Sequence, residues 1–334
     1  MNILLLSHGF LPGHKEATKI TITEFKRQLV EEGHNVVLIA ERSISETIKK
    51  VKKVQEELGA EFDIVHGFSA APIIVMKTML VKKNTSPKAK TIHTLKSYSK
   101  NLFGGLGTSF LLNMVDVVTV STEIFRKRLI HRGCLPSKIK VIRSHIDLRK
   151  FLPLDKNILK HNYGLSGKIV LYYGSLHENK GPQFLAEAMD GVDATLLLAP
   201  RHKVSEEFQE LLDESVIVIT EDIDVTEYVN MADVLVLPYK NMKGTEGNPS
   251  CLLEAMACKT PVITSDLPEL LEIVSPEKDV LMTSPGDVTH LRRQIQRVLT
   301  DTELKTKMVT NSFEKTKEFD VRKVTKGFLS VYES

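Results

Sequence analysis

The chain has 334 residues, 42% of them hydrophobic, and a formal net charge of +3. That is enough apolar material to fill two cores of ordinary size, which excludes a disordered chain and predicts two domains. No apolar run reaches the roughly 18 residues needed to cross a bilayer, so a membrane-spanning protein is excluded as well.

The opening MNILLLSHGF lacks a basic leader before its short apolar run and is read as a first strand. Short apolar runs then recur at residues 35–40, 63–67, 90–94, 115–121 and 138–144, with amphipathic stretches between them, such as ITITEFKRQLVEEG ending at Gly33. The second half repeats the plan at residues 168–174, 194–199, 216–220, 233–239, 260–265 and 279–283. Strand and helix in alternation predict parallel sheets covered on both faces, hence an α/β protein of two Rossmann-like domains joined near residues 149–154. Ligands of such sheets sit beyond the carboxyl ends of the strands, which directs attention to a cleft between the domains. Neither half carries a GxGxxG turn after its first strand, so a nicotinamide or flavin dinucleotide enzyme is not expected.

Charge is divided unevenly. Residues 1–150 hold 25 lysines and arginines against 13 acidic residues, whereas residues 151–334 hold 20 against 29. The basic residues of the first half crowd into residues 77–100 and 126–143, where they either attract phosphates and anionic headgroups or form solvated helix faces. No aromatic platform accompanies them, so nucleic acid is not an expected partner. The cysteines number three; Cys251 and Cys258 would stand about 10 Å apart along one helix, too far for a disulfide. A reducing cytoplasm fits that usage.

One stretch carries the chemistry: residues 244–265, GTEGNPSCLLEAMACKTPVITS. Gly244 and Gly247 permit a tight loop, and Pro249 suits the first turn of a helix starting at Asn248 or Pro249. The amides of Ser250, Cys251 and Leu252 would then lie unpaired at the positive end of a helix dipole, a natural seat for phosphate. Glu254 interrupts an apolar run, and its neighbours on the helix, Ser250, Cys251, Ala257 and Cys258, are small. It either faces water on a half-exposed helix or takes hydrogen bonds from a ligand such as the vicinal hydroxyls of a ribose.

Glu246 and Glu254, with the string EGNPSCLLEAMACKTPV, resemble the E-x7-E segment of the retaining glycosyltransferases of family 4. SHGFLPG, YYGSLHENKG and MADVLVLPY are similar to further elements of that family. The resemblance implies a GT-B fold: an acceptor-side domain over residues 1–150, a nucleotide-sugar domain over 151–319, and a final helix over 320–334 packing back on the first. It also implies that Glu246 contacts the donor sugar, that Gly247, Asn248 and the stretch Pro249 through Leu252 hold the diphosphate, and that Glu254 binds the ribose. Lys180 matches the family's diphosphate lysine, and His93 the histidine touching the transferred sugar; read alone, they are a loop lysine and a core histidine. His66 is structural or lines the acceptor pocket, His8 and Gly13 lie in the loop after the first strand, and Ser121 caps a helix.

The chain departs from the family at several positions. Ser175 stands where an arginine usually helps Lys180, Glu16 and Ala17 replace a Gly-Gly pair, Ser144-His145 replaces Asn-Gly, and Lys259 replaces a glycine. The expected function is sugar transfer, with retention, from a nucleoside diphosphate, UDP or GDP by preference, to a hydroxyl acceptor, whether a glycan, a lipid-linked or a small molecule; the basic first half would suit an anionic or lipid-linked one. No cofactor or metal is implied, and the basic first half suggests peripheral contact with the inner membrane face. The rivals are a sugar-nucleotide epimerase of similar fold and a catalytically degenerate binding subunit.

Overall fold

The computed structural model describes residues 1–8, 17–69, 73–97, 104–200, 204, 206–209, 212, 216–219 and 224–334. The chain divides into two compact units: Met1–His145 with Lys243–Gly247 and Val321–Ser334, and Ile146–Met242 with Asn248–Asp320. The division therefore falls at His145/Ile146 rather than at 150/151. Ile146 is drawn into the second unit because its amide donates to the Phe319 carbonyl at 2.9 Å and its side chain is 2% exposed in that unit's core.

The first unit is a parallel sheet of β1 (Asn2–Leu6), β2 (Asn35–Ile39), β3 (Ile64–Ser69), β4 (Lys90–Leu95), β5 (Val117–Val120) and β6 (Ile139–Val141). Their order is β2-β1-β3-β4-β5-β6, so the direction of winding reverses between β1 and β3. The second unit has β7 (Ile169–Gly174), β8 (Thr195–Pro200), β9 (Val216–Val218), β10 (Val234–Leu237), β11 (Val262–Ser265) and β12 (Leu281–Thr283), in the order β12-β11-β10-β7-β8-β9. Here the reversal lies between β7 and β10. All twelve strands lie where the apolar runs place them, and both units are Rossmann-like.

Burial on both faces explains why these strands read as unbroken apolar runs. In β1, Ile3 and Leu5 enter one core and Leu4 and Leu6 another. In β7, Ile169 and Leu171 face one way, Val170 and Tyr172 the other. Each fully buried leucine contributes roughly 2–3 kcal/mol, so the inner strands anchor both sheets.

The helix Val321–Glu333 completes the first unit. Val324, Phe328, Val331 and Tyr332 share one helical stripe and pack with Ile22, Phe25 and Leu29 of helix Ala17–Glu31. His66 pins this contact from the sheet: its Nδ1 lies 2.6 Å from the Tyr332 hydroxyl and its Nε2 2.7 Å from Thr94 Oγ1. No described helix is long and apolar enough to cross a membrane.

Candidate functional site

In the second unit the expected site residues gather beyond the carboxyl ends of β7 and β10, where the winding reverses and ligands of such sheets bind. β7 ends at Gly174. The chain then turns at Ser175, whose carbonyl accepts from the Tyr172 hydroxyl at 2.5 Å and whose Oγ accepts from the His177 amide at 3.3 Å. A 3-10 turn, Glu178–Lys180, follows, stopped by Gly181 in the left-handed region at φ 74°. Only glycine fits there, since a Cβ would lie 1.9 Å from the Pro238 carbonyl oxygen at the end of β10. That close approach fixes the register of the Lys180 turn against β10. The Lys180 ammonium consequently lies 5.1 Å from the centre of the Tyr239 ring.

The Tyr239 hydroxyl in turn lies 3.2 Å from the Cys251 sulfur, in the first turn of helix Ser250–Ala257. That helix begins one residue later than expected. Pro249 has ψ 128°, an extended value, so it is the cap and not a helical residue. Its carbonyl accepts from the Leu252 amide at 3.1 Å, which removes Leu252 from the expected set of phosphate donors. The amides remaining at the helix start are those of Ser250 and Cys251. Both Lys180 and Glu254 act on the Cys251 thiol, which burial pushes up, the Glu254 charge pushes further, and the Lys180 charge pulls down. Lysine, carboxylate and helix start therefore share one small neighbourhood.

Glu254 is only partly buried, while Leu252, Leu253, Ala255, Met256 and Ala257 around it are 0% exposed. Its carboxylate accepts a hydrogen bond from the Tyr173 phenol at the end of β7. The reading of Glu254 as a simply solvated surface residue therefore does not hold. Burial, and next the Glu254 charge, hold the Tyr173 phenol well above its usual range, so it stays protonated and donates. Asn248 is fully buried at the same loop.

Glu246 and Gly247 belong to the first unit. Glu246 lies 3.7 Å from the Lys96 ammonium and accepts from Ser144 Oγ at 3.5 Å; both partners of the ion pair are less than 16% exposed. Lys96 also donates to Thr21 Oγ1 at 3.3 Å. Gly247 lies against the turn after β5, where a Cβ would meet Ser121 Oγ at 2.7 Å. The helix cap at that turn is Thr122, which accepts from the Phe125 amide at 3.2 Å, and not Ser121 as expected. His145, in the Asn-Gly position, reaches the Thr21 carbonyl at 3.0 Å and packs near Phe25.

His93 differs from expectation. Its side chain is 0% exposed, neither ring nitrogen has a hydrogen-bond partner among the described residues, and Gly67 across the strand leaves it room against helix Ile73–Thr85. In this structure the ring is enclosed rather than presented to a ligand. Burial holds it neutral, with its pKa lowered to about 4. His8 is exposed at the end of β1. Gly13 and Glu16 lie outside the described residues, as does most of residues 220–224.

Lys259 needs no functional explanation. It occupies the left-handed position after the helix at φ 58°, and its ammonium lies 4.7 Å over the Phe313 ring, which offsets part of the roughly 1 kcal/mol cost of that conformation. Two partners of the expected site residues were not singled out from sequence, Tyr173 in the second unit and Lys96 in the first. The signal for each was alternation past a strand end, in YYGS and in HTLKS. No group of metal-binding side chains occurs among the described residues.

Residues 167–301 match the family model described as glycosyl transferases group 1. The chain is 26% identical over 313 residues to a putative glycosyltransferase, YtcC, of Bacillus subtilis, covering 84% of this chain and 75% of that one. It is likewise 26% identical over 292 residues to the N-acetyl-alpha-D-glucosaminyl L-malate synthase of Bacillus anthracis, covering 81% and 74%. Among solved structures, Anabaena HepE in complex with UDP and glucose superposes with a TM-score of 0.81 at 16% identity over 100% of both chains, a likeness of fold.

Proposed function

We propose that the chain, whose residues 167–301 match the glycosyl transferases group 1 model, is a retaining enzyme carrying a sugar from a nucleoside diphosphate to a hydroxyl acceptor. The observation that carries this reading is the convergence of Lys180, the amides of Ser250 and Cys251, and the Tyr173-supported Glu254 at the β7/β10 reversal. Lys180 and the amides neutralise the departing diphosphate, and Glu254 accepts from the ribose hydroxyls. Glu246, held by Lys96 and Ser144, orients the donor sugar. Ser175 brings only its turn to the phosphates, and His93 supports the fold of the strand end without touching substrate. The acceptor attacks from the side on which the diphosphate leaves, so retention needs no protein nucleophile, and catalysis rests on positioning and electrostatics.

The donor nucleotide we favour is UDP, the nucleotide named in the Anabaena complex. An anionic acceptor accords with the basic first 150 residues and with the L-malate in the name of the Bacillus anthracis relative. The test is thermal stabilisation by UDP, GDP, ADP and CDP and their sugar conjugates. One nucleotide should raise the melting temperature, and Glu254→Ala should weaken its binding about 30-fold, the loss of about 2 kcal/mol of charged hydrogen bonding. If no nucleotide stabilises the protein at millimolar concentration, donor binding is refuted and a degenerate subunit remains. Release of free nucleoside diphosphate with an altered sugar, in the absence of acceptor, would identify an epimerase instead.

A membrane-linked acceptor is the second arm of the same reading. Met76, Leu80 and Phe110 on the helices after β3 and β4, and Met114 in the turn that follows the second of these helices, are each at least 39% exposed, in the half of the chain rich in lysine. Co-sedimentation with phosphatidylglycerol vesicles, weakened by salt and absent with phosphatidylcholine, is the expected result; no sedimentation with either vesicle means the acceptor is soluble.

A further inference from the structure

We infer that Tyr173 is a positioning residue that sets the Glu254 carboxylate for the ribose of the donor, and thereby determines how strongly the site distinguishes ribose from 2′-deoxyribose. The inference rests on the reading of Glu254 given above. Its starting point is the end of β7, where two adjacent tyrosines diverge. Tyr172 turns into one core and spends its hydroxyl on the Ser175 carbonyl at 2.5 Å. Tyr173, one residue on, faces the opposite side of the sheet, toward the core that contains helix Ser250–Ala257.

There its phenol has two acceptors within reach on that helix: the Glu254 carboxylate, through Oε2, and the Cys251 carbonyl at 3.3 Å. The phenol has one proton to give. The carbonyl already lies on the helix's own ladder, and a charged acceptor makes the stronger bond, so the proton goes to Glu254. Three bonds separate a glutamate's backbone from its carboxylate, and ordering that side chain costs on the order of 1.5–2 kcal/mol. Beside it on the helix, Ser250, Cys251, Ala257 and Cys258 are all small. Tyr173 restrains the carboxylate before ligand arrives, from a strand end paired with β8 through Tyr173 and Ala199. Burial, and next the Glu254 charge, hold the phenol well above its usual range, so it keeps the proton that it donates.

Packing alone predicts something different. A tyrosine that merely filled space would, on conversion to phenylalanine, weaken every nucleotide to the same degree or none. A residue that orients Glu254 affects only the nucleotide carrying the hydroxyl that Glu254 reads.

The experiment measures Kd by calorimetry for UDP and 2′-deoxy-UDP, or the GDP pair where GDP is the stabilising nucleotide. It compares wild type, Tyr173→Phe, Glu254→Ala and the double variant. Tyr173→Phe should weaken the ribonucleotide about tenfold while leaving the deoxynucleotide nearly unchanged. In the Glu254→Ala background the same change should have no further effect on the ratio of the two. If Tyr173→Phe preserves the ratio while Glu254→Ala collapses it, Tyr173 is only a packing residue and the inference is overturned. If Glu254→Ala also preserves the ratio, the assignment of Glu254 to the ribose fails first, and the role of Tyr173 falls with it.

Discussion

Lys180→Ala should lower kcat/KM for release of nucleoside diphosphate from the sugar nucleotide by about 100-fold or more, with most of the loss in kcat. The reason is where charge develops. As the sugar leaves, negative charge builds on the diphosphate, and a fixed cation there stabilises the transition state more than the ground state; removing one such group costs about 3 kcal/mol. Ser175 follows β7 where the family resemblance places a second cation, so in the proposed mechanism Lys180 and the amides of Ser250 and Cys251 carry this task. Lys180→Arg should restore only part of the rate, since the guanidinium cannot place a point charge from the same perch beside Tyr239. A Lys180→Ala variant with unchanged kcat would remove Lys180 from the chemistry. Ser175→Arg is the complementary change, and a gain of rate from it would mark the natural chain as an enzyme working with one cation fewer.

Mild acid should selectively weaken the first unit. His66 and His93 are both buried and neutral there. His66 is lowered well below the ordinary histidine value by burial first, then by the nearby His93 and Lys96; His93 is lowered to about 4 by burial alone. A lowered histidine pKa means that the folded state binds fewer protons than the unfolded one, so the stabilisation is complete above pH 6.5 and is lost as pH falls toward 4. For His93 the full difference, from 6.5 to about 4, corresponds to about 3 kcal/mol. Urea midpoints followed by far-UV circular dichroism should fall between pH 7 and pH 5. In His93→Leu, which keeps the volume and removes the titration, the fall should be shallower. A midpoint that stays level over that interval would show that the histidines titrate alike in both states. Because His66 also holds Tyr332, helix Val321–Glu333 should be the first element to lose protection from hydrogen exchange.

Much of the architecture was legible in local pattern. Apolar runs such as NILLL and VLVL name strands buried on both faces, and the loop from Gly244 into SCLLEAMA announces a helix start beside glycine. Where the reading went astray, the cause lay in single dihedrals or in burial. Pro249 suits either a cap or a first helical residue, and only its ψ decides that Leu252 loses its amide to the Pro249 carbonyl. Ser121 and Thr122 are equally good caps in sequence, and the side chain that reaches Phe125 is that of Thr122.

The linear chain by itself determined the class of fold, the twelve strands and the spacing of Glu246 and Glu254, because period, turn residues and motif spacing are properties of neighbours along the backbone. It could not determine which side chains meet across 78 or more residues of sequence. That Tyr173 supports Glu254, that Lys96 and Ser144 hold Glu246, and that His93 is sealed in a core follow from the packing of distant segments. Contacts of that kind depend on which faces the folded sheets bury, and burial is a property of the tertiary structure alone.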